Sequence, residues 1–215
     1  MPTAITRKIT RFISQYESHS YRKGEVLLFG GEPIADLLYL QAGQVRQYDI
    51  SYRGDEVVVN ALKNDVFFPL AAVMARLPNR YFFEAVTEVQ VCHVPLPDVQ
   101  IFLQENHDVL LHLFQQVCAE AAGSYERLAH MMGGTAPSRV LYELLTQARM
   151  FGEKQGTVIF IAMSESELAA RSGLSRETVS REVHKLKKTG LLDVSRKGLT
   201  IKDRKQLEQK LGSQL

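Results

Sequence analysis

The spacing of apolar residues changes character several times along the chain. Ile5, Ile9, Phe12 and Ile13 fall at i, i+4, i+7 and i+8, which predicts a short helix over residues 4–16. From Tyr21 to about Val94 the apolar residues come instead in short runs. Val26-Leu27-Leu28-Phe29 runs into Gly30-Gly31-Glu32-Pro33, and Leu37-Leu38-Tyr39-Leu40 stops at Ala42-Gly43. Val45 to Ile50 stops near Arg53-Gly54-Asp55, Val57-Val58-Val59 stops at Lys63-Asn64-Asp65, and Phe82 to Val94 supplies the last strands. Strands recurring about every ten residues between such turns predict an antiparallel sandwich or jelly roll.

The helical period returns over residues 96–132. Leu103, His107, Leu110, Phe114, Val117, Ala121 and Leu128 recur at spacings of three, four or seven, with Val109, Leu113 and Gln116 forming a second stripe beside them. Apolar residues over so wide a face must be covered on more than one side. The sandwich supplies one cover and a second copy of the helix the other, with the seam expected at Leu110, Phe114, Val117, Ala121 and Leu128. Gly133-Gly134-Thr135-Ala136-Pro137 then breaks the helix.

Residues 164–190 carry the sharpest local pattern. Ser164 followed by Glu167 is a capping box, and the helix it opens ends at Gly173, which suits a left-handed closing residue. Leu174 fills the turn, and Ser175 caps a second helix that runs to about Thr189 and is closed by Gly190. In that helix Val179, Val183 and Leu186 face inward, while Arg176, Glu177, Ser180, Arg181 and His184 face out. Two short capped helices around a glycine turn, with arginines on the outer face, describe a helix-turn-helix whose second helix enters the major groove. Arginine donates two bonds to guanine, and glutamate accepts from the cytosine amino group. Leu191 to Ile201 reads as a hairpin with the basic tip Arg196-Lys197, a wing suited to phosphates. Lys185, Lys187 and Lys188 are further phosphate candidates.

Charge follows the same division. Residues 1–135 hold 11 Lys and Arg against 15 Asp and Glu, a net −4, whereas residues 136–215 hold 15 against 9, a net +6. Only the C-terminal part is therefore suited to a polyanion. Two cysteines, Cys92 and Cys118, are too few for a disulfide framework or a cysteine-held metal centre. No apolar run is long enough to span a bilayer, and Met1 to Arg7 carries no signal-peptide core, so the expected compartment is the cytoplasm. No catalytic constellation or metal-ligand spacing stands out, and no enzyme activity is expected.

The run Gly173-Leu174-Ser175-Arg176-Glu177-Thr178-Val179-Ser180-Arg181 resembles the recognition-helix signature of the catabolite activator/FNR (Crp/Fnr) family of bacterial transcription regulators. Phe29-Gly30-Gly31-Glu32-Pro33 and Leu38 to Val45 resemble the start of that family's cyclic-nucleotide-binding roll. The resemblance implies an α+β protein with an effector-sensing β-roll over 1–95, a dimerisation helix over 96–133 and a winged helix-turn-helix over 134–215. It implies a homodimer that reads an inverted repeat in double-stranded DNA, with half-sites similar to TGTGA, and that works with RNA polymerase. Ser175, Arg176, Glu177, Thr178, Ser180, Arg181, Lys185, Arg196 and Lys197 are the expected DNA-binding residues.

The effector loop departs from the family. Where its cyclic-nucleotide binders have Phe-Gly-Glu, this chain has Phe68, Pro69 and Leu70. Proline offers no N–H to a phosphate and leucine no acceptor to a ribose hydroxyl. No glycine occurs between Gly54 and Gly123 to build a phosphate cradle, and Arg80, before Tyr81, falls one residue from the family's arginine. Phe68, Pro69, Leu70, Arg80 and Tyr81 are thus the effector candidates, cyclic AMP is not the expected effector, and no cofactor is assigned. An iron–sulfur sensor needs about four cysteines, and none of the six histidines stands in a setting diagnostic of haem. Three readings stay open: gating by another effector, an effector-independent binder whose roll is scaffold, and a cyclic-nucleotide-regulated enzyme subunit, against which the intact reader helix argues.

Overall fold

The computed structural model describes residues 3–52, 54 and 56–212. Its internal contacts divide it into two units, Met1–Glu120 and Ala121–Leu215. The first opens with α1 (Ala4–Ile13) and continues through β1 (Ser18–Tyr21), β2 (Val26–Leu28), β3 (Asp36–Ala42), β4 (Gln44–Ile50), β5 (Glu56–Lys63) and β6 (Val66–Phe68). Then come α2 (Leu70–Ala75), β7 (Phe82–Ala85), β8 (Val89–Pro95), α3 (Leu96–Glu105) and the start of α4 (His107–Gly133). The strands form two antiparallel sheets, ordered β1-β8-β3-β6 and β2-β7-β4-β5. Of the turn expected at Arg53-Gly54-Asp55 only Gly54 is described, with φ 86°. The expectation about a signal peptide concerns a segment whose Met1 and Pro2 lie outside the described residues.

Leu38, Leu40, Val45, Phe68, Phe83 and Val91 fill the space between the sheets. Leu37, Tyr39, Phe67, Cys92 and Val94 belong to a second cluster with Phe12, Ile13, Val99, Leu103, Val109 and Leu113 of the helices. The first sheet is therefore apolar on both faces, which is why β3 reads Leu37-Leu38-Tyr39-Leu40 without the alternation of a half-exposed strand. Gly43 joins β3 to β4 at φ 96°, and a Cβ there would collide with the Glu88 carbonyl.

Two helices depart from the sequence expectation. The first ends at Ile13 rather than at residue 16. The helix expected over 96–132 is two helices, parted at Asn106, whose backbone (φ −129°, ψ 71°) leaves the helical region. The Asn106 side-chain amide donates to the Phe102 carbonyl at 2.9 Å, standing in for a backbone donor. Its own carbonyl then accepts from the N–H groups of Val109 and Leu110, at 3.0 and 3.1 Å, and so starts α4. A local side-chain bond of this kind competes with the helix ladder without a proline or glycine to announce it.

The second unit comprises the end of α4, α5 (Ala136–Phe151), β9 (Glu153–Gln155), β10 (Val158–Ile161), α6 (Glu165–Ser172), α7 (Arg176–Lys188), β11 (Leu192–Ser195), β12 (Gly198–Ile201) and α8 (Arg204–Gly212). A sheet ordered β11-β12-β10-β9 packs with the helices around Leu144, Ile161, Leu168, Val179, Val183, Leu192 and Leu199.

Candidate nucleic-acid interface

Each end of the α6–turn–α7 segment is set by a local bond. The Ser164 hydroxyl accepts from the Glu167 N–H at 3.2 Å, and the Ser164 N–H donates to the Glu167 carboxylate at 2.7 Å, a complete capping box. Gly173 takes φ 61°, and the Gly173 and Leu174 N–H groups close α6 on the carbonyls of Ala170 and Ala169. Leu174 packs on the core of the unit. Ser175 caps α7 by accepting from the Thr178 N–H at 3.2 Å.

Val179, Val183 and Leu186 are buried, so α7 is fixed by one face and free on the other. Ser175, Arg176, Glu177, Ser180, Arg181 and His184 are all exposed. Thr178 is half-buried and spent locally, with its hydroxyl bonded to Ser175 at 2.9 Å and accepting from Arg181 at 3.3 Å. Lys185 is held by Glu182 at 2.7 Å and lines a groove with Pro137, Leu141 and Lys210, apart from the outer arginines.

The wing pairs Leu192 with Ile201 and Ser195 with Gly198, leaving Arg196 and Lys197 exposed at its tip. Gly198 is required where it stands, because a Cβ would collide with the Ile161 carbonyl of β10. An open cleft of about 470 Å³ lies between the tip and the start of α6 and is lined by Arg176, Arg196 and Lys197 together with Ser164 and Glu165. Ser164 and Glu165 are not among the sequence-derived contacts; Ser164 caps α6 and Glu165 stands in its first turn.

In the roll, Phe68, Pro69, Leu70 and Tyr81 line a cavity of about 90 Å³ together with Gln47, Asn60, Leu62, Phe83, Asn79 and Glu120. Arg80 is not among them. Its side chain, 75% exposed, binds Asp49 through Nη2 at 2.8 Å and Nε at 3.0 Å. Its assignment to the effector site is therefore corrected: the adjacent carboxylate draws it onto β4. Glu120 supplies the carboxyl group among the lining side chains, and desolvation raises its pKa. Asn79 is spent on the loop, donating to the Phe29 and Tyr81 carbonyls and accepting from the Tyr81 N–H. Gln47 and Asn60 are direct cross-strand partners, a polar pair that could have been suspected only with the β4–β5 register in hand. Among the described residues no cluster of three or more His, Cys, Asp or Glu could hold a metal ion, and no helix is long and apolar enough to cross a membrane.

Fold and site define a two-part DNA-binding protein, a β-roll carried with a winged helix-turn-helix. Residues 18–106 match the family profile of the cyclic nucleotide-binding domain, and residues 138–210 that of the Crp-like helix-turn-helix domain. The chain belongs to the Crp/Fnr family of transcription regulators. It is 25% identical over 205 residues to the global nitrogen regulator of Synechocystis, covering 92% of this chain and 90% of that protein. It is 22% identical over 194 residues to the fumarate and nitrate reduction regulatory protein of Escherichia coli K12, covering 89% and 77%. Among solved structures, a CRP/FNR-family transcriptional regulator from Thermus thermophilus superposes with TM-score 0.72 at 22% identity, over 93% of this chain and all of that one. The c-di-GMP-responsive global regulator of Xanthomonas campestris superposes with TM-score 0.74 at 18% identity, over 92% and 99%.

Proposed function

We propose that the protein is a cytoplasmic homodimer that reads an inverted repeat in DNA, has no enzyme activity, and is gated by a ligand other than cyclic AMP. In this division of labour residues 1–95 sense, 96–133 pair and 134–215 read, with RNA polymerase as the downstream partner.

The observation that carries the reading is the composition of α7's free face, where Arg176, Glu177, Ser180 and Arg181 stand exposed above a buried Val179-Val183-Leu186 seam. These side chains carry donors and acceptors of the kind that read base edges, and the resemblance of the α7 run to the family's recognition-helix signature implies a half-site similar to TGTGA. Arg196 and Lys197 bind phosphate in this reading, and Ser175, at the helix start, offers the N-terminal end of α7 to another. Lys185 contributes less, because Glu182 already neutralises it.

Pairing through α4 is supported by an apolar stripe left uncovered in the single chain. Leu111, Phe114, Cys118, Ala121, Tyr125, Leu128 and Met132 follow one another at alternating spacings of three and four, the repeat of a two-stranded coiled coil. Phe114, Ala121 and Leu128 belong to the seam expected from sequence, whereas Leu110 and Val117 pack in part against the roll's own core. Leu111 and Cys118 take their places in the proposed seam.

Gating by something other than cyclic AMP is supported by the cavity wall. Among the described residues its lining offers no lysine, arginine or histidine to a phosphate, and it carries a carboxylate instead. α2, the helix after Pro69, has only six residues, too short to supply a strong anion-binding terminus. Selection of duplexes from a random pool by the full chain tests the proposal. The expected outcome is an inverted repeat with half-site centres about 34 Å apart, one helical turn. Enrichment of no sequence, or of a single unrepeated site, would contradict it.

A further inference from the structure

The α5 side chain Arg139 links two glycines that shape the reader. At one end its stem lies against Gly134, in the elbow between α4 and α5, where a Cβ would stand 3.2 Å from Arg139 Cγ. At the other end its Nη2 donates to the Gly173 carbonyl at 3.1 Å. Gly173 is the left-handed residue that closes α6, two residues before the cap of α7. A Cβ on Gly173 would stand 2.5 Å from the guanidinium. A charge-assisted bond to this carbonyl fixes the peptide that sets the angle between the two helices.

The arrangement is costly for Arg139 itself. Its Nε is fully buried and meets no acceptor among the described residues. A buried donor without a partner destabilises a fold, so the position of this side chain is not explained by stability alone. We infer that Arg139 is a positioning residue for DNA recognition: it braces the turn between α6 and α7 against the α4–α5 elbow and so holds the reading helix at a fixed angle. The inference rests on α7 being the reading helix, which the enrichment of a sequence by the wild-type chain tests separately.

The experiment compares wild-type and variant full chains on the duplex that the wild-type chain selects and on a scrambled duplex. Arg139→Met keeps the stem and removes the bond. It is expected to weaken the selected duplex about tenfold, the worth of one good contact, with scrambled DNA and the salt slope unchanged. An unchanged slope separates a brace from a phosphate contact, whose loss flattens it. Arg139→Lys, which retains one donor, is expected to fall between the two. Gly173→Ala should cost less in the Arg139→Met background than alone, because removing the guanidinium relieves the collision. The inference is overturned if Arg139→Met leaves selected-duplex affinity intact. It is equally overturned if both duplexes weaken together in step with a falling thermal midpoint, which would mark a merely structural role.

Discussion

Arg80 is bound to Asp49, not to the cavity: its Nη2 and Nε lie 2.8 and 3.0 Å from one carboxylate oxygen. That pairing engages the arginine nearest the family's phosphate position with a carboxylate outside the cavity, whose own lining holds no lysine, arginine or histidine among the described residues. Calorimetric titration should therefore give no cyclic AMP affinity tighter than about 1 μM, or −8 kcal/mol. Because the pair is largely solvated, Arg80→Ala should move stability by less than about 1 kcal/mol. Sub-micromolar binding lost in Arg80→Ala would contradict this account of the roll.

The α4 stripes make a second prediction. Phe114 is 56% exposed, whereas Val117 is partly buried against Val109 and Leu113 on the roll side. Phe114→Glu should convert the dimer to monomers in sedimentation while leaving the roll folded, since it places two like charges near the axis in a desolvated seam. Val117→Glu should lower thermal stability instead, through burial of a charge against an apolar core.

A third concerns the buried carboxylate Glu143. Its side chain is 3% exposed, accepts from Gln147 at 2.7 Å and pairs with Arg127 at 3.3 Å. Glu143→Ala should cost about 3 kcal/mol in denaturant unfolding, because it strands a largely buried guanidinium. The double change Arg127→Leu with Glu143→Leu should recover most of that loss, since no unpaired charge then remains.

His93 gives a pH dependence. Burial holds its pKa below the ordinary 6.5, the neighbouring His19 adds to the depression, and Asp36 opposes it. The Tyr21 hydroxyl shares a hydrogen bond with its Nε2 at 2.8 Å. With the folded value lowered, the unfolded chain binds the proton first. The His93 contribution is thus present above about pH 6.5 and lost as pH falls through the folded value. Thermal midpoints measured from about pH 7 down to pH 5 should fall less steeply in His93→Gln than in wild type.

How much of this was legible in the sequence depended on how local the cause was. Ser164, Glu167, Gly173 and Ser175 form the ends of α6 and α7 by bonds to residues at most a few positions away, so their pattern was readable directly. The Val179-Val183-Leu186 stripe was readable for the same reason, and with it the free face of α7. Asn106 was not, because the bond from its side chain to Phe102 is one of several an asparagine can make. Periodicity marked two stripes on α4 but could not say that Val109 and Leu113 face the roll, which depends on distant strands. Arg80 with Asp49, Arg139 with Gly173 and Glu143 with Arg127 are bonds of charged side chains to partners 16 or more positions away. Sequence spacing holds no trace of such pairs.

Whether α7 reads bases is tested most directly by one comparison on selected and scrambled duplexes over a range of salt. Arg181→Ala should cost about 1–3 kcal/mol on the selected duplex and almost nothing on the scrambled one. Lys197→Ala, at the wing tip, should weaken both alike and flatten the salt slope by about one counterion. Equal losses on both duplexes for Arg181→Ala would make that side chain a phosphate contact and contradict the assignment of α7 as the reader.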